Sequence, residues 1–317
     1  MFFTTDQIIE STKIRILSPD GQSTFQDDDF VRFINEEFQL KLVPDMISLR
    51  EDYFLKIALS SIVANQANYT MPERAIGNTL KDLFVLDSGN NRFQVQRINP
   101  KVIPRTGLSS VYPYQFLISA DQVQLHPTPT STAGYLQMWY YERPNQLVLS
   151  SECGQITAIA TDTPIAGQTT YTVNADVSSY DSLDFLSGTS PFQLWSIDVT
   201  PVSSDATTVV VTSVDVQNEG GQMLPRVGDW ICNEQTANIP MIPQDFHPLL
   251  AEMAAGRVVQ ALGHNDKLEA INNNTNEIRL NLFNTLSNRI EQNAEAILNP
   301  FGIQKYTGYG LALGWPV

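Results

Sequence analysis

The sequence is poor in basic residues, histidine, cysteine and long apolar runs, and each shortage removes a class of function. There are 19 Lys and Arg against 34 Asp and Glu, a formal charge of −15. Affinity for phosphate comes mainly from Lys and Arg, so general nucleic-acid binding is excluded. No apolar run approaches the ~20 residues of a membrane span, and no membrane partner is expected. Cys153 and Cys232 are the only cysteines. They permit one disulfide at most and no Cys-based zinc site. Met1-Phe2-Phe3 is followed by Thr4, Thr5 and Asp6 rather than an apolar h-region, so no signal peptide is expected at this start. Assembly in a reducing cytoplasm then argues for free thiols. The three histidines, His126, His247 and His264, fall in unrelated segments, where capping or solvated roles are the plain reading. No HExxH, GxSxG, P-loop or GxGxxG string occurs. The expectation is no enzyme, no catalytic or metal residues and no cofactor.

What is present is amide. Charged residues make up only 17% of the 317, against a usual value of about 25%, and 22 Asn and 22 Gln fill the gap. A surface of neutral hydrogen-bonding groups suits burial against other protein. The acidity is local: residues 149–240 hold 11 acids and a single base, Arg226, which is −10 of the −15. That segment also carries β-prone runs such as Thr169-Thr170-Tyr171-Thr172-Val173 and Thr207-Thr208-Val209-Val210-Val211-Thr212, separated by Gly, Pro and Asp turns. It reads as a small β-rich unit set into a different framework.

The framework opens with helices. Thr4 with Gln7 forms a capping box for a first helix carrying Ile8, Ile9, Thr12 and Ile16 on one face. A second begins near Gln26, with Phe25 and Phe30 at staple positions and Asp27, Asp28 and Asp29 in the first turn. Three consecutive acids cannot converge as alternating calcium ligands do, so helix capping is preferred to a metal site. Phe30, Phe33, Ile34, Phe38 and Leu42 make its apolar stripe. A third helix is expected over 47–65, and residues 1–68 are taken as the N-terminal helical part. Residues 69–148 read as a sheet, with strands at 83–86, 92–96, 115–118, 122–125 and 135–141. A C-terminal helical hairpin follows over 241–298. One helix starts at Pro243 and Asp245 and ends at Gly263, with Leu250 and Met253 on its apolar face. The other runs over 266–298, with a stripe that includes Leu282, Leu286 and Ile290. Its run of Asn272, Asn273, Asn274 and Asn276 is weakly helical and needs packing. Residues 299–317 space Gly302, Gly308, Gly310 and Gly314 among aromatics and read as a docking tail. The fold class is α+β: a helical bundle of N- and C-terminal helices, a β-sheet and an inserted acidic β-rich domain.

The chemistry is sparse. The acidic segment can hide a glycosidase pair, two carboxylates within ~5–10 Å, but nothing singles out two of the eleven, and Asp is a common turn residue. Trp139, Tyr140 and Tyr141 can stack sugars or bases, or pack a core or a subunit contact.

Several stretches, in order, resemble the head-to-tail adaptor (connector) proteins of tailed bacteriophages, especially short-tailed podoviruses. Phe25 to Glu36 looks like the family's first-helix signature. Tyr69-Thr70-Met71-Pro72 with Leu80-Lys81-Asp82-Leu83 is similar to its helix-to-sheet passage, and Leu125 to Pro129 and Tyr140 to Pro144 to its sheet end. Val227 to Ile231 and Pro240 to Leu250 resemble its approach to the C-terminal helices. The resemblance implies a structural virion protein at the portal–tail junction, assembled in the host cytoplasm. Twelve copies would form a ring beneath the portal protein. The ring would meet the tail nozzle and tail fibres, and DNA would pass without specific binding. It also implies that Phe301, Tyr306, Tyr309, Leu311, Leu313 and Trp315 anchor the tail to the portal. Phe30, Phe33, Phe38, Leu250, Met253, Leu282, Leu286 and Ile290 would serve helix packing and the ring interface. Segment 149–240 departs from compact members of the family. The competing readings are a tail-associated polysaccharide-degrading protein and a carbohydrate- or receptor-binding module.

Overall fold

The computed structural model describes residues 3–16, 25–50, 53–89, 91–99, 109–132, 134–161, 165–190, 192–213 and 225–286. The fold is mixed α+β. Helix α1 spans Thr5–Arg15, and its capping box forms as the sequence indicates: Thr4 Oγ1 accepts from the Gln7 amide, and Gln7 Oε1 from the Thr4 amide. Helix α2 spans Asp27–Glu37. Asp29 accepts from the Gln26 amide at 2.9 Å, and Asp27 pairs with Lys13 at 2.5 Å, so the triple Asp works as a cap and a tie to α1. The staple forms too, with the Phe25 and Phe30 rings edge-to-face at 6.2 Å. A π-helical turn, Phe38–Leu42, joins α2 to α3, Val43–Leu49.

The third helix is shorter than expected. It ends at Leu49, and the strand β1, Leu55–Ser61, occupies ground the apolar spacing had given to helix. The same residues carry a period of two, Leu55, Ile57 and Leu59, and pairing with a partner strand along all seven residues decides between the periods. Strands β2 (Asn68–Thr70), β3 (Asp82–Leu86), β4 (Arg92–Arg97), β5 (Ser109–Ser110), β6 (Gln115–Ser119), β7 (Gln122–His126), β8 (Thr128–Pro129) and β9 (Tyr135–Tyr141) follow. Seven of these form a sheet in the order β1-β9-β3-β4-β6-β7-β2, antiparallel except for β4 with β6. Its inner face packs Leu83, Val85, Val95, Phe116, Val123, Leu125, Leu136 and Met138 into one core.

Strand β10 (Gln146–Leu147) leads into the acidic segment. There β11 (Gly154–Thr161), β12 (Gln168–Val173), β13 (Leu183–Leu186), β14 (Leu194–Val199), β15 (Ser203–Ser204), β16 (Thr208–Thr212) and β17 (Trp230–Asn233) form a second seven-stranded sheet. Its order is β14-β13-β17-β11-β12-β16-β15. Alternate residues point inward, as in Thr169, Tyr171 and Val173 of β12 and Val209 and Val211 of β16. The segment closes where β18 (Thr236–Ala237) pairs in parallel with β10. Cys153 and Cys232 are both fully buried and form a disulfide, with Cα atoms 4.5 Å apart. This corrects the expectation of free thiols. The antiparallel pairing of β11 with β17 puts Gly154 opposite Ile231, which brings the preceding and following cysteines side by side.

Helices α4 (His247–Ala261) and α5 (Asn265–Leu286) return to α1 and α2. One core joins Ile8, Ile9, Phe30, Ile34, Phe38, Leu42, Met46, Leu249, Leu250, Ala254 and Val258, so both ends of the chain build the same helical region. Gly263 ends α4 at φ 75, as its position predicts. Leu268, Ile271, Ile278 and Leu282 of α5 pack on that core from one side. Ion pairs Arg279–Asp45 (2.5 Å) and Arg257–Glu36 (3.2 Å) fasten α5 and α4 to the N-terminal helices. Amides are not confined to the surface. Asn35 donates to the Leu147 carbonyl (2.8 Å) and accepts from the Leu147 amide (2.7 Å), fixing α2 to β10.

Candidate functional site

Of the residues expected to serve helix packing and the ring interface, Phe30, Phe38 and Leu250 are fully buried within one chain and Met253 nearly so. They belong to the core that packs α2 and the turn after it against α4. Phe33 and Leu282 are half-buried against the same core. The side chain of Leu286 lies outside the described residues, as do Ile290 and the tail residues Phe301, Tyr306, Tyr309, Leu311, Leu313 and Trp315.

The feature that sequence reading missed lies where the two sheets meet. Arg74, in the turn after β2, is 4% exposed and reaches into the second sheet. Its Nη1 donates to Asp184 Oδ2 (2.9 Å) and Asn145 Oδ1 (2.9 Å), and its Nη2 to Asp184 Oδ1 (2.8 Å) and Asp198 Oδ1 (2.5 Å). Asp184 is fully buried in the centre of β13. Its carboxylate also accepts from Asn145 Nδ2 (2.6 Å) and from the amides of Asp198 (3.0 Å) and Gln235 (2.9 Å). Asp198 and Gln235 adopt φ 55 and φ 58, and each delivers its N–H to that one carboxylate. Burial opposes the Arg74 charge, but hydrogen bonds and charge from Asp184, then Asp198, outweigh it and hold its pKa above the ordinary value. A signal was present in the sequence: an Asp inside the apolar run Leu183-Asp184-Phe185-Leu186 must be paired if it is buried.

Beside this cluster lies a cleft of roughly 380 Å³ between the two outermost strands, β1 and β14. Lys56, Tyr140 and Glu142 line one wall, and Trp195, Ser196 and Asp198 the other. Glu142 is pushed up by burial, against the lowering influence of Lys56 and Arg74. Glu142 and Asp198 thus border one cleft. Each has a cation beside it: Lys56 at 3.8 Å from Glu142 and Arg74 at 2.5 Å from Asp198. Chemically the arrangement clamps one sheet to the other.

A second buried acid explains the Val227-Gly228-Asp229-Trp230-Ile231 stretch. Asp229 accepts from Trp195 Nε1 (2.7 Å) and from the amides of Gly188 (2.8 Å) and Arg226 (2.7 Å). Gly188 is required there, since a Cβ would meet the Gly228 carbonyl at 2.2 Å. Two of the eleven acids are therefore interior, not scattered surface turns. His247 is also buried rather than solvated. Its Nδ1 accepts from the Phe3 amide (3.0 Å), and Nε2 lies 3.3 Å from the Ile242 carbonyl, to which it donates. Burial lowers its pKa to about 4.

A different face of the first sheet is aromatic and cationic. The guanidinium of Arg92 lies 3.6 Å from the Phe84 ring centre and 4.7 Å from that of Trp139, and Lys81 Nζ is 5.8 Å from the Tyr141 ring centre. Compared with known proteins, the chain matches no family model and no curated protein.

Proposed function

We propose that the chain is a structural virion protein, a head-to-tail adaptor. In this reading twelve copies form a ring between the portal and the tail nozzle and leave a passage for DNA. The helical region acts as a bundle, and residues 149–240 act as an inserted domain turned toward tail nozzle or fibres. The observation that carries the reading is the shared core of α1, α2 and α4. Both chain ends build one helical region, while the sheet and the acidic unit are looped out between them, which is the layout the adaptor resemblance implies. The amide-rich, charge-poor composition suits subunit contact, and the net charge of −15 suits a conduit that repels phosphate.

Residues 301–317 dock the subunit to the portal in this proposal. Deleting them leaves a folded chain, with unchanged circular dichroism, that no longer co-sediments with portal rings. Undiminished co-sedimentation would refute the assignment of the tail.

A further inference from the structure

Each sheet leaves one long edge unpaired, and both edges border the same cleft. In the first sheet the outermost strands are β1, seven residues long, and β2, three residues. In the second they are β14, with six residues, and β15, with two. Short edge strands guard against stray pairing, which protects β2 and β15 but not the other two. Register shows which groups β1 offers. The Glu142 amide donates to the Phe54 carbonyl and the Ile62 amide to the Gly134 carbonyl, so the even-numbered residues of this ladder bond β9. The amides and carbonyls of Ile57 and Leu59 therefore point to the open side. Among the described residues they have no partner there. Ile57 lies on the cleft, whose apolar lining includes Pro72, Leu194 and Ile197.

Charge narrows what an added strand must carry. Glu73, Glu142 and Asp198 line the cleft with Lys56 and Arg74. Both bases are already engaged, Lys56 with Glu142 at 3.8 Å and Arg74 with Asp184 and Asp198 at 2.8 and 2.5 Å. With Asp184 included, four acids stand against two bases. Glu73 is exposed, and its carboxylate accepts from Gln235 Nε2 at 3.3 Å. What fits is extended backbone that brings positive charge. The chain holds such a segment. Residues 88–120 contain four bases, Arg92, Arg97, Lys101 and Arg105, and no acid, in a protein with 34 acids. Arg92 and Arg97 belong to β4, whereas Lys101 and Arg105 fall in 100–108, outside the described residues. In Lys101-Val102-Ile103-Pro104-Arg105 the two bases stand two positions either side of Ile103, so extended backbone puts all three on one face. Pro104 has no N–H, which suits a strand that pairs along one side only.

We propose that residues 101–105 of a second copy add as a strand to the open edge of β1, with Lys101 and Arg105 meeting the acids of the cleft. Main-chain hydrogen bonds to Ile57 and Leu59 supply the pairing, and the two charges select the segment. The contact is heterologous, one patch meeting a different patch, which is the kind that closes into rings. It rests on the ring reading above and adds which surfaces meet.

Cross-linking of full-length chains tests this. One chain carries Ile57→Cys and the other Ile103→Cys; the native cysteines are joined to each other and buried. Assembled together on portal rings and oxidised with copper phenanthroline, they give a cross-linked dimer that neither chain gives alone. A chain with both substitutions that cross-links within itself as a dilute monomer puts the segment in its own cleft and overturns the proposal. Lys101→Glu with Arg105→Glu weakens assembly about tenfold in mass photometry, whereas Lys101→Arg with Arg105→Lys preserves it. Thermal melts establish that these variants fold. Rings that form without the cross-link, or at parental strength with both charges reversed, overturn the proposal and leave the ring reading standing. If assembly survives the reversal while a labelled peptide of residues 98–108 binds the parent but not Glu73→Lys, the cleft takes a basic strand from another protein, and the proposal fails. A parent chain that forms no ring, with or without portal, overturns both.

Discussion

Replacing Arg74 by Leu lowers the unfolding free energy by about 3–5 kcal/mol, the cost of removing one partner from a buried ion pair. Asp184 is then left fully buried with a charge that Asn145 and two backbone amides cannot neutralise. The consequence is also local, because Arg74 belongs to the first sheet's turn and Asp184 and Asp198 to the second sheet. Limited proteolysis of the variant therefore cuts within 149–240 before the helical region. The double variant Arg74→Leu with Asp184→Asn recovers part of the loss, since it removes the unpaired buried charge while a side-chain carbonyl remains to accept from the Asp198 and Gln235 amides. Urea unfolding followed by tryptophan fluorescence measures both. A single-variant loss under about 1 kcal/mol, the value of an exposed pair, contradicts the buried clamp.

His247 makes the fold sensitive to mild acid. Its pKa in the folded chain is about 4, below the ordinary 6.5, because burial disfavours the charged ring. The folded state therefore holds fewer protons than the unfolded one between those values. Stability from neutral His247 is fully present above about pH 6.5 and is lost as pH falls through about 4, for a total of about 3 kcal/mol. The loss has a structural reading: a protonated Nδ1 cannot accept from the Phe3 amide, so the start of the chain is released from α4. Other carboxylates titrate in the same acid range, so the decisive quantity is the difference between the parent and His247→Gln. The variant is weaker at neutral pH but has a flatter stability profile between about pH 6.5 and 4. Equal slopes for the two chains contradict the assignment.

Much of the architecture is written locally. The Thr4–Gln7 box, the Phe25–Phe30 staple, the hairpin of β3 and β4 and the Gly263 stop depend on residues a few positions apart, and each formed as its pattern indicates. Residues 55–61 show where this fails. Their spacing suits helix or strand, and only the distant β9 decides. The clamp was hidden for the same reason. Arg74, Asn145, Asp184 and Asp198 are far apart in sequence, and none belongs to a motif that marks pairing. Asp184 alone signalled itself, as a charge among apolar strand residues. The cysteines went wrong by weighing compartment over geometry, because the β11–β17 register that joins them is a long-range pairing.

Mixing the purified chain with portal rings and imaging the product by negative-stain microscopy tests the adaptor account most directly. The account predicts a ring of twelve subunits seated on the portal's tail-facing end, with a central opening and the unit formed by residues 149–240 projecting away from the portal. A chain that stays monomeric beside bare portal rings, or that binds anywhere but that end, contradicts it.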